Sequence, residues 1–485
     1  MKSKAKPIET IAFVSLGCPK NLVDSERMLG LLAEDGLSLT GDAQTADAIV
    51  INTCGFLEAS KTESLAEIRR AVEFKTSGKC QRVIVAGCLV QRHKTKLLQE
   101  VPEIDRLVGV FDREHIVEAV RGKDNPKQEH GHFLGKYHDL TKVNHSAVGL
   151  NNSTVGLPVF EDDRARFRLT PRHWAYLRMS EGCNQGCTFC TIPSIRGPMR
   201  SKPIEQIVAE ARELAADGAV ELNLIGQDTT SYGTDIGYGD GLAGMLRRLN
   251  KELKDVRWLR LMYAYPSCFT DEMIRAIAEC DRVVKYIDMP LQHINDELLT
   301  KMRRRVTRKE TETLLGKLRD WIPNIAIRTT FISGAPGETE AQHKELVKFV
   351  KDFGFEMMGV FPYSPEPGTA MGRMQDQLPD EVKQKRVEEL MLTQQQVAFK
   401  KAKAQIGKTI EVLVDRPAGR DVEDGYVARS QAQAPEIDSV VYVSGGELHP
   451  GEFVNVKVTD YQAYDLVAEI AKKKSRALNV LASRS

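Results

Sequence analysis

The chain has 485 residues, with 68 Lys and Arg against 67 Asp and Glu and a formal net charge of +1. Hydrophobic residues make up 42% and charged residues 28%, a globular composition that excludes disorder and a uniformly basic, polyanion-binding surface. No apolar run approaches the roughly 18 residues of a membrane span. Met1–Pro7 leads into a strand-like run rather than a signal-peptide core, so a cytoplasmic location and several domains are expected.

From the N-terminus, three apolar, β-branched runs each end in a cysteine: Ala12 to Cys18, Ala48 to Cys54 and Arg82 to Cys88. Helical patterns at 24–35 and 56–74 separate them. Strand–helix–strand order predicts a parallel sheet, whose C-terminal strand ends share one ligand-binding face. Cys18, Cys54 and Cys88 would meet on that face; three separately buried core cysteines are the alternative. Residues 8–125 make up this first domain, which closes with a helix over 113–121. Residues 126–165, rich in Lys, Asn, His, Gly and Asp, are predicted to be a linker or surface excursion. The histidines of this stretch (His130, His132, His138, His145) are too irregularly spaced for a metal site and read as solvated.

A longer αβ pattern follows over 166–402. Strands are expected at 175–180, 220–225, 258–265, 283–290, 325–333 and 357–363, with helices such as 203–217, 271–280 and 338–353 between them. Six such units predict a parallel α/β barrel, complete or partial, with its site at the C-terminal strand ends. The first of these loops carries Cys183-Asn-Gln-Gly-Cys187-Thr-Phe-Cys190. Three thiolates so close can hold three corners of a metal site. Structural zinc takes four closed ligands, and no Cys or His follows closely. A cubane iron–sulfur cluster with three protein ligands leaves one iron open; a zinc site completed by a distant residue such as His293 is the alternative. Cys80, Cys268 and Cys280 show no partner pattern and read as packing or surface thiols.

A long amphipathic helix is expected over 380–406. Short alternating strands at 409–415, 440–443 and 453–460 then predict a small all-β barrel over 403–473, of the size class that binds nucleic acid, with a basic tail at 474–485. Residues 409–470 carry 12 Asp and Glu against 4 Lys and Arg. Such a barrel should repel phosphates and prefer a basic protein.

The three parts, in this order, resemble the radical S-adenosylmethionine (SAM) methylthiotransferases. The Cys-x3-Cys-x2-Cys loop is similar to that of the radical SAM superfamily, the N-terminal domain to a methylthiotransferase domain and the C-terminal barrel to a TRAM domain. Ser180-Glu-Gly-Cys183, Gly226-Gln-Asp-Thr-Thr-Ser-Tyr-Gly233, Met262-Tyr-Ala-Tyr-Pro266, Asp288-Met-Pro-Leu-Gln-His293 and Pro435-Glu-Ile-Asp438 resemble the RimO type. That branch modifies an aspartate in the twelfth protein of the small ribosomal subunit. The branch that modifies tRNA adenosine usually has Asn where this chain has Asp228. Ile332-Ser-Gly-Ala-Pro-Gly-Glu338 departs from the family at Ser333 and Ala335, where Val and Phe are more usual.

The resemblance implies a fold of an N-terminal parallel αβ domain, a partial (β/α)6 radical SAM barrel and a TRAM barrel. It implies two 4Fe–4S clusters, one on Cys183, Cys187 and Cys190 that binds SAM, and one on Cys18, Cys54 and Cys88. It implies a SAM-derived radical that takes hydrogen from the β-carbon of the substrate aspartate, after which methylthio is transferred. Gly226 and Gln227 would contact SAM. Phe189 either shields the sulfurs or packs in the core. Gly334, Pro336 and Gly337 form either a cofactor wall or a tight turn. Arg303–Arg305 read as a solvated helix end. The expected partners are a basic small-subunit ribosomal protein, free or on the ribosome, and an electron donor, with no membrane. The competing readings are a tRNA methylthiotransferase and a non-catalytic iron–sulfur binding protein.

Overall fold

In the computed structural model, which describes residues 7–123, 131–137, 162–419 and 425–471, the three cysteine-terminated runs are neighbours in one parallel sheet. Its strands are β1 (Thr10–Ser15), β2 (Ser38–Thr40), β3 (Ala48–Thr53), β4 (Arg82–Gly87) and β5 (Arg106–Val108), in the order β2-β1-β3-β4-β5. Every residue of β3 is buried, as expected of a parallel strand covered on both faces. Ile49, Ile51, Val83 and Val85 pack to one side, and Ile11, Val50, Ile84 and Ala86 to the other. The edge strands β2 and β5 escaped the sequence reading because three residues are too few to show a period.

Each cysteine follows its strand at a strand-to-helix turn. Cys18 caps the helix Pro19–Glu34, whose first residue is proline, a position where the missing N–H costs nothing. Cys54 follows β3 directly. Cys88 opens the helix Cys88–His93.

The second sheet is built from β6 (Trp174–Arg178), β9 (Glu221–Ile225), β10 (Trp258–Leu261), β11 (Val283–Asp288), β12 (Ala326–Ser333) and β13 (Met357–Pro362). A two-stranded ribbon of β7 (Ser180–Glu181) and β8 (Arg200–Ser201) lies beside it in sequence. The six strands run in the order β13-β12-β11-β10-β9-β6, each parallel to its neighbours, which is the partial (β/α)6 barrel expected. Its core joins Leu222, Leu224, Leu259 and Ile287 of the strands to Leu246, Ile274, Leu318 and Leu346 of the covering helices. β10 stops at Leu261 rather than at Tyr265. Tyr263 takes φ +60, and its N–H donates to the Asp288 carboxylate at 3.2 Å instead of to a ladder.

The stretch assigned to a linker has packed ends. Phe133 is buried and bridges to Val108. His132 is buried rather than solvated, while His130, His138 and His145 lie outside the described residues. Asp163 is fully buried because it joins a network of five carboxylates and five cations. Asp24, Glu26, Asp163, Glu181 and Glu210 face Arg113, Arg166, Arg178, Arg196 and Lys202. Asp24, Glu26 and Arg113 belong to the first sheet's layer, and the others to the barrel or the chain entering it.

The described residues up to Leu392 form one compact unit and those from Thr393 another, with the helix Asp380–Lys403 crossing the boundary in sequence. The second unit holds a closed barrel of β14 (Thr409–Pro417), β15 (Tyr426–Ser430), β16 (Val441–Ser444), β17 (Phe453–Gln462) and β18 (Asp465–Ile470), in the order β14-β15-β16-β18-β17. Its core is Val412, Val414, Ala428, Val441, Val443, Val456 and Ala468. Arg429 is buried against Asp415 in a two-pronged ion pair at 2.7 and 2.9 Å. No helix among the described residues is long and apolar enough to cross a membrane.

Removing one charge from the buried network leaves its partners uncompensated. Asp163→Asn is expected to destabilise the first unit by about 3–5 kcal/mol, measured as a lowered urea midpoint against the unsubstituted chain.

Candidate functional site

The three N-terminal thiols converge because small residues let their loops touch. A side chain at Gly17, which has φ +94, would put its Cβ 2.8 Å from the Cβ of Cys54. A Cβ at Gly55 would fall 2.6 Å from the backbone of Leu89, beside Cys88. Polar side chains hold the strand ends from beneath. Asn52 donates to the Asn21 carbonyl at 2.9 Å and to the Ser25 hydroxyl at 2.8 Å, and Asn21 donates to the Leu16 carbonyl at 2.6 Å. A residue of the barrel braces the same loops from the other side. Glu366 accepts from the Glu58 N–H at 3.1 Å and from Arg92 at 2.9 Å. Arg92 in turn donates to the carbonyls of Gly55 and Phe56 at 2.8 and 3.2 Å.

The Cys183–Cys190 loop is hooked to the rest of the barrel. Thr188 donates through its hydroxyl to the Lys301 carbonyl at 2.8 Å, and the Cys183 N–H donates to Gly197 at 3.2 Å. The Gln185 amide donates to Asp228 at 2.6 Å. Asp228 also accepts from the Thr230 and Ser231 hydroxyls at 2.7 and 2.6 Å, so it ties the cysteine loop to the loop after β9. Cys268, read from sequence as bland, lies beside this knot and accepts from Gln185 at 3.3 Å. Cys80 and Cys280 are buried packing thiols.

Burial pushes the Cys88 and Cys190 thiols up to about 12 and Cys183 up to about 11. Each of these thiols is also raised by other thiols of its own set: Cys18 and Cys54 act on Cys88, Cys187 acts on Cys183, and Cys187 and Cys183 act on Cys190. Such thiols give up their protons readily only to a metal. Among the described residues no three His, Cys, Asp or Glu side chains converge closely enough to hold a single metal ion. Each set supplies three soft thiols, the donor chemistry that a cubane cluster takes, one thiolate to an iron.

Two arginines reach the sulfurs. Arg196 donates to the Cys88 sulfur at 3.1 and 3.3 Å, and Ile195 packs on Cys88. Cys88 thus sits directly against the segment that follows Cys190. Arg304 donates to the Cys187 sulfur at 3.7 Å and stacks on Tyr265 at 4.0 Å, whose hydroxyl is 3.6 Å from the same sulfur. Arg304 is buried, which corrects the solvated reading of this triplet; only Arg303 and Arg305 are exposed. Lys20 is buried at the same junction, its ammonium 3.0 Å from the centre of the Tyr263 ring. Burial lowers its pKa to about 8.

The expected SAM contacts lie near this junction. Gly226 abuts Ser180, and the Gln227 amide donates to Glu181. Phe189 packs on the apolar cluster of Leu298, Met302 and Met371. The N–H groups of Gly334 and Ala335 donate to Glu338 at 2.7 and 3.0 Å, so this loop is a turn closed by its own carboxylate. Sequence pattern could not mark Arg196, Arg304, Glu366 or Lys20, because each acquires its role from a neighbour distant in the chain.

Three family profiles match the chain: the uncharacterized protein family UPF0004 over residues 10–109, the radical SAM superfamily over 177–350 and the TRAM domain over 406–471. The ribosomal protein uS12 methylthiotransferase RimO of Anaeromyxobacter sp. (strain K) is 43% identical over 96% of this chain and 94% of its own length. Those of Desulforamulus reducens and Bdellovibrio bacteriovorus are 41% and 40% identical, over 96% and 97% of this chain and 100% and 99% of their own lengths. The chain belongs to the RimO family of radical SAM methylthiotransferases. Membership brings with it SAM and a 4Fe–4S cluster. Among solved structures, the radical SAM methyltransferase TsrM from Kitasatospora setae shares the fold, with a TM-score of 0.50 and 17% identity over 75% of this chain and 77% of its own.

His293 does not complete a thiol site. It is wholly buried, accepts from the Asn295 N–H at 3.0 Å and has its pKa pushed down to about 3, chiefly by burial, with a lesser push from the neighbouring His343 and Arg386. It is therefore neutral in the fold, while the unfolded chain takes up that proton near pH 6.5. Its contribution to stability is complete above about pH 6.5 and declines by about 1.4 kcal/mol per unit as pH falls toward 3. His293→Gln is expected to flatten this part of the stability–pH curve, measured by urea unfolding of the cluster-free chain between pH 7 and pH 5.

Proposed function

We propose that this chain methylthiolates the β-carbon of an aspartate of ribosomal protein uS12, using two 4Fe–4S clusters. Cys183, Cys187 and Cys190 would hold the cluster that binds SAM, and Cys18, Cys54 and Cys88 the second. Gly226 and Gln227 would border SAM. Bound there, the clusters supply the electron that cleaves SAM and the sulfur that is handed on. The chain's own residues hold the thiols in place and donate to them through Arg196 and Arg304. The observation that carries this reading is the contact of Cys88, from one thiol set, with Ile195 and Arg196 in the segment that follows the other.

The acidic charge of the C-terminal barrel favours a basic protein over tRNA as substrate. The domain limits that accompany this reading are 8–125, 166–402 and 403–473. An electron donor is needed, and the reaction belongs in the cytoplasm, where reducing conditions keep thiols free.

Anaerobically reconstituted chain, incubated with SAM, reductant and uS12, is expected to add one methylthio group in place of hydrogen at an aspartate, read by mass spectrometry. Replacing Cys18, Cys54 and Cys88 together by Ala should roughly halve the bound iron and abolish methylthio transfer, while deoxyadenosine still forms. Retention of full iron and activity would show those cysteines to be structural only.

A further inference from the structure

We propose that Arg196 sets the reduction potential of the cluster on Cys18, Cys54 and Cys88, raising it by donating to the Cys88 sulfur. The proposal rests on the two-cluster reading above and names the residue that tunes one of those clusters.

Arg196 ends the short helix Ile192–Arg196, six residues after Cys190. The segment that follows one thiol set thus delivers a cation to a sulfur of the other. Its Nε and Nη2 stand 3.3 and 3.1 Å from the Cys88 sulfur. Cys88 is the buried member of its set, while Cys54 is half-buried and Cys18 exposed. A charge-assisted donor acts most strongly where water is excluded.

The guanidinium is held in that pose by its other edge. Nη1 lies 2.9 Å from Glu181 and 2.8 Å from Asp24, and Nη2 also donates to the Asn21 side-chain oxygen at 3.3 Å. A guanidinium is a rigid planar fork of five N–H donors. Fixing Nη1 on the carboxylates therefore aims Nε and Nη2 at the sulfur. The carboxylates do not cancel the charge of Arg196, since Asp24 is shared with Arg113 and Arg178, and Glu181 with Arg178. Among the described residues, the edge that faces Cys88 makes no ion pair. Reduction adds an electron to a group whose thiolates are already negative. Donors to the sulfur favour the more electron-rich state and so raise the potential. The cluster beside Arg196 is therefore easier to reduce than the same three thiolates would make it alone.

The test uses the full chain with Cys183, Cys187 and Cys190 replaced by Ala, reconstituted anaerobically, so that only the N-terminal cluster contributes. Its potential is read by a redox titration followed by electron paramagnetic resonance. Arg196→Lys keeps a cation for Asp24 and Glu181 but loses the two-pronged donation to sulfur. It is expected to shift the reduced-to-oxidised ratio at a fixed potential at least about tenfold toward oxidised, a fall of about 59 mV for one electron. Arg196→Gln should fall at least as far, and either variant that keeps its iron decides. Asp163→Asn loosens the same network through Arg113, Arg178 and Lys202 and should leave the potential in place. An unchanged potential in an iron-loaded Arg196 variant overturns the proposal. So does an equal fall in Asp163→Asn, which would trace the shift to the loosened network. Loss of the cluster from both Arg196 variants also overturns it and assigns the residue to the fold. A parent chain that binds no iron on Cys18, Cys54 and Cys88 would overturn the two-cluster reading itself, a result distinct from a loaded parent whose potential ignores Arg196.

Discussion

The buried ion network around Asp24, Asp163 and Glu181 sets the position of everything chemical in the first unit. Arg178, on the first strand of the barrel, contacts Asp24 of the N-terminal layer at 2.6 Å, Asp163 at 2.5 Å and Glu181 at 2.7 Å. Burying this many charges gains little stability over a well-packed apolar interface. What it supplies is register, because guanidinium–carboxylate pairs accept few geometries while apolar side chains slide. The same network ends in Arg196, which pairs with Asp24 at 2.8 Å and also reaches the Cys88 sulfur. Interface register and sulfur environment are thus parts of one continuous arrangement. Burial lowers the Arg196 pKa, and the neighbouring Cys88, Glu181 and Asp24 raise it by more.

Much of the fold was legible from simple signals. Six cysteines followed strands or sat in a strand's loop, and the apolar runs before them were long enough to show as buried parallel strands. The short edge strands Ser38–Thr40 and Arg106–Val108 were not legible, because a sheet neighbour rather than a local pattern makes them strands. The break at Tyr263 was hidden for a related reason. The apolar run continues through it, and only the competing acceptor on Asp288 turns the backbone away.

The site was legible in its ligands but not in its supports. Cysteine spacing reports metal chemistry directly, since few other uses need three thiols in eight residues. An arginine or glutamate reports nothing by itself. Arg304 sits in a run of three arginines, which in most proteins is solvated, and its burial follows from Tyr265 and the Pro290 carbonyl. Glu366 reads as a loop residue until Arg92, 274 positions earlier, is found beside it. His293, a residue type suited to zinc and left by the spacing only as an alternative ligand, is a neutral core group.

The two thiol sets differ in how they are held, and the difference follows from chain topology. Cys183, Cys187 and Cys190 share one loop, so their mutual placement survives as long as that loop does. Cys18, Cys54 and Cys88 come from three strand ends. They meet only because β1, β3 and β4 are paired, Gly17 and Gly55 allow contact, and Glu366 and Arg196 press from the barrel. The second arrangement depends on tertiary structure at every point, so any loosening of the junction reaches it first.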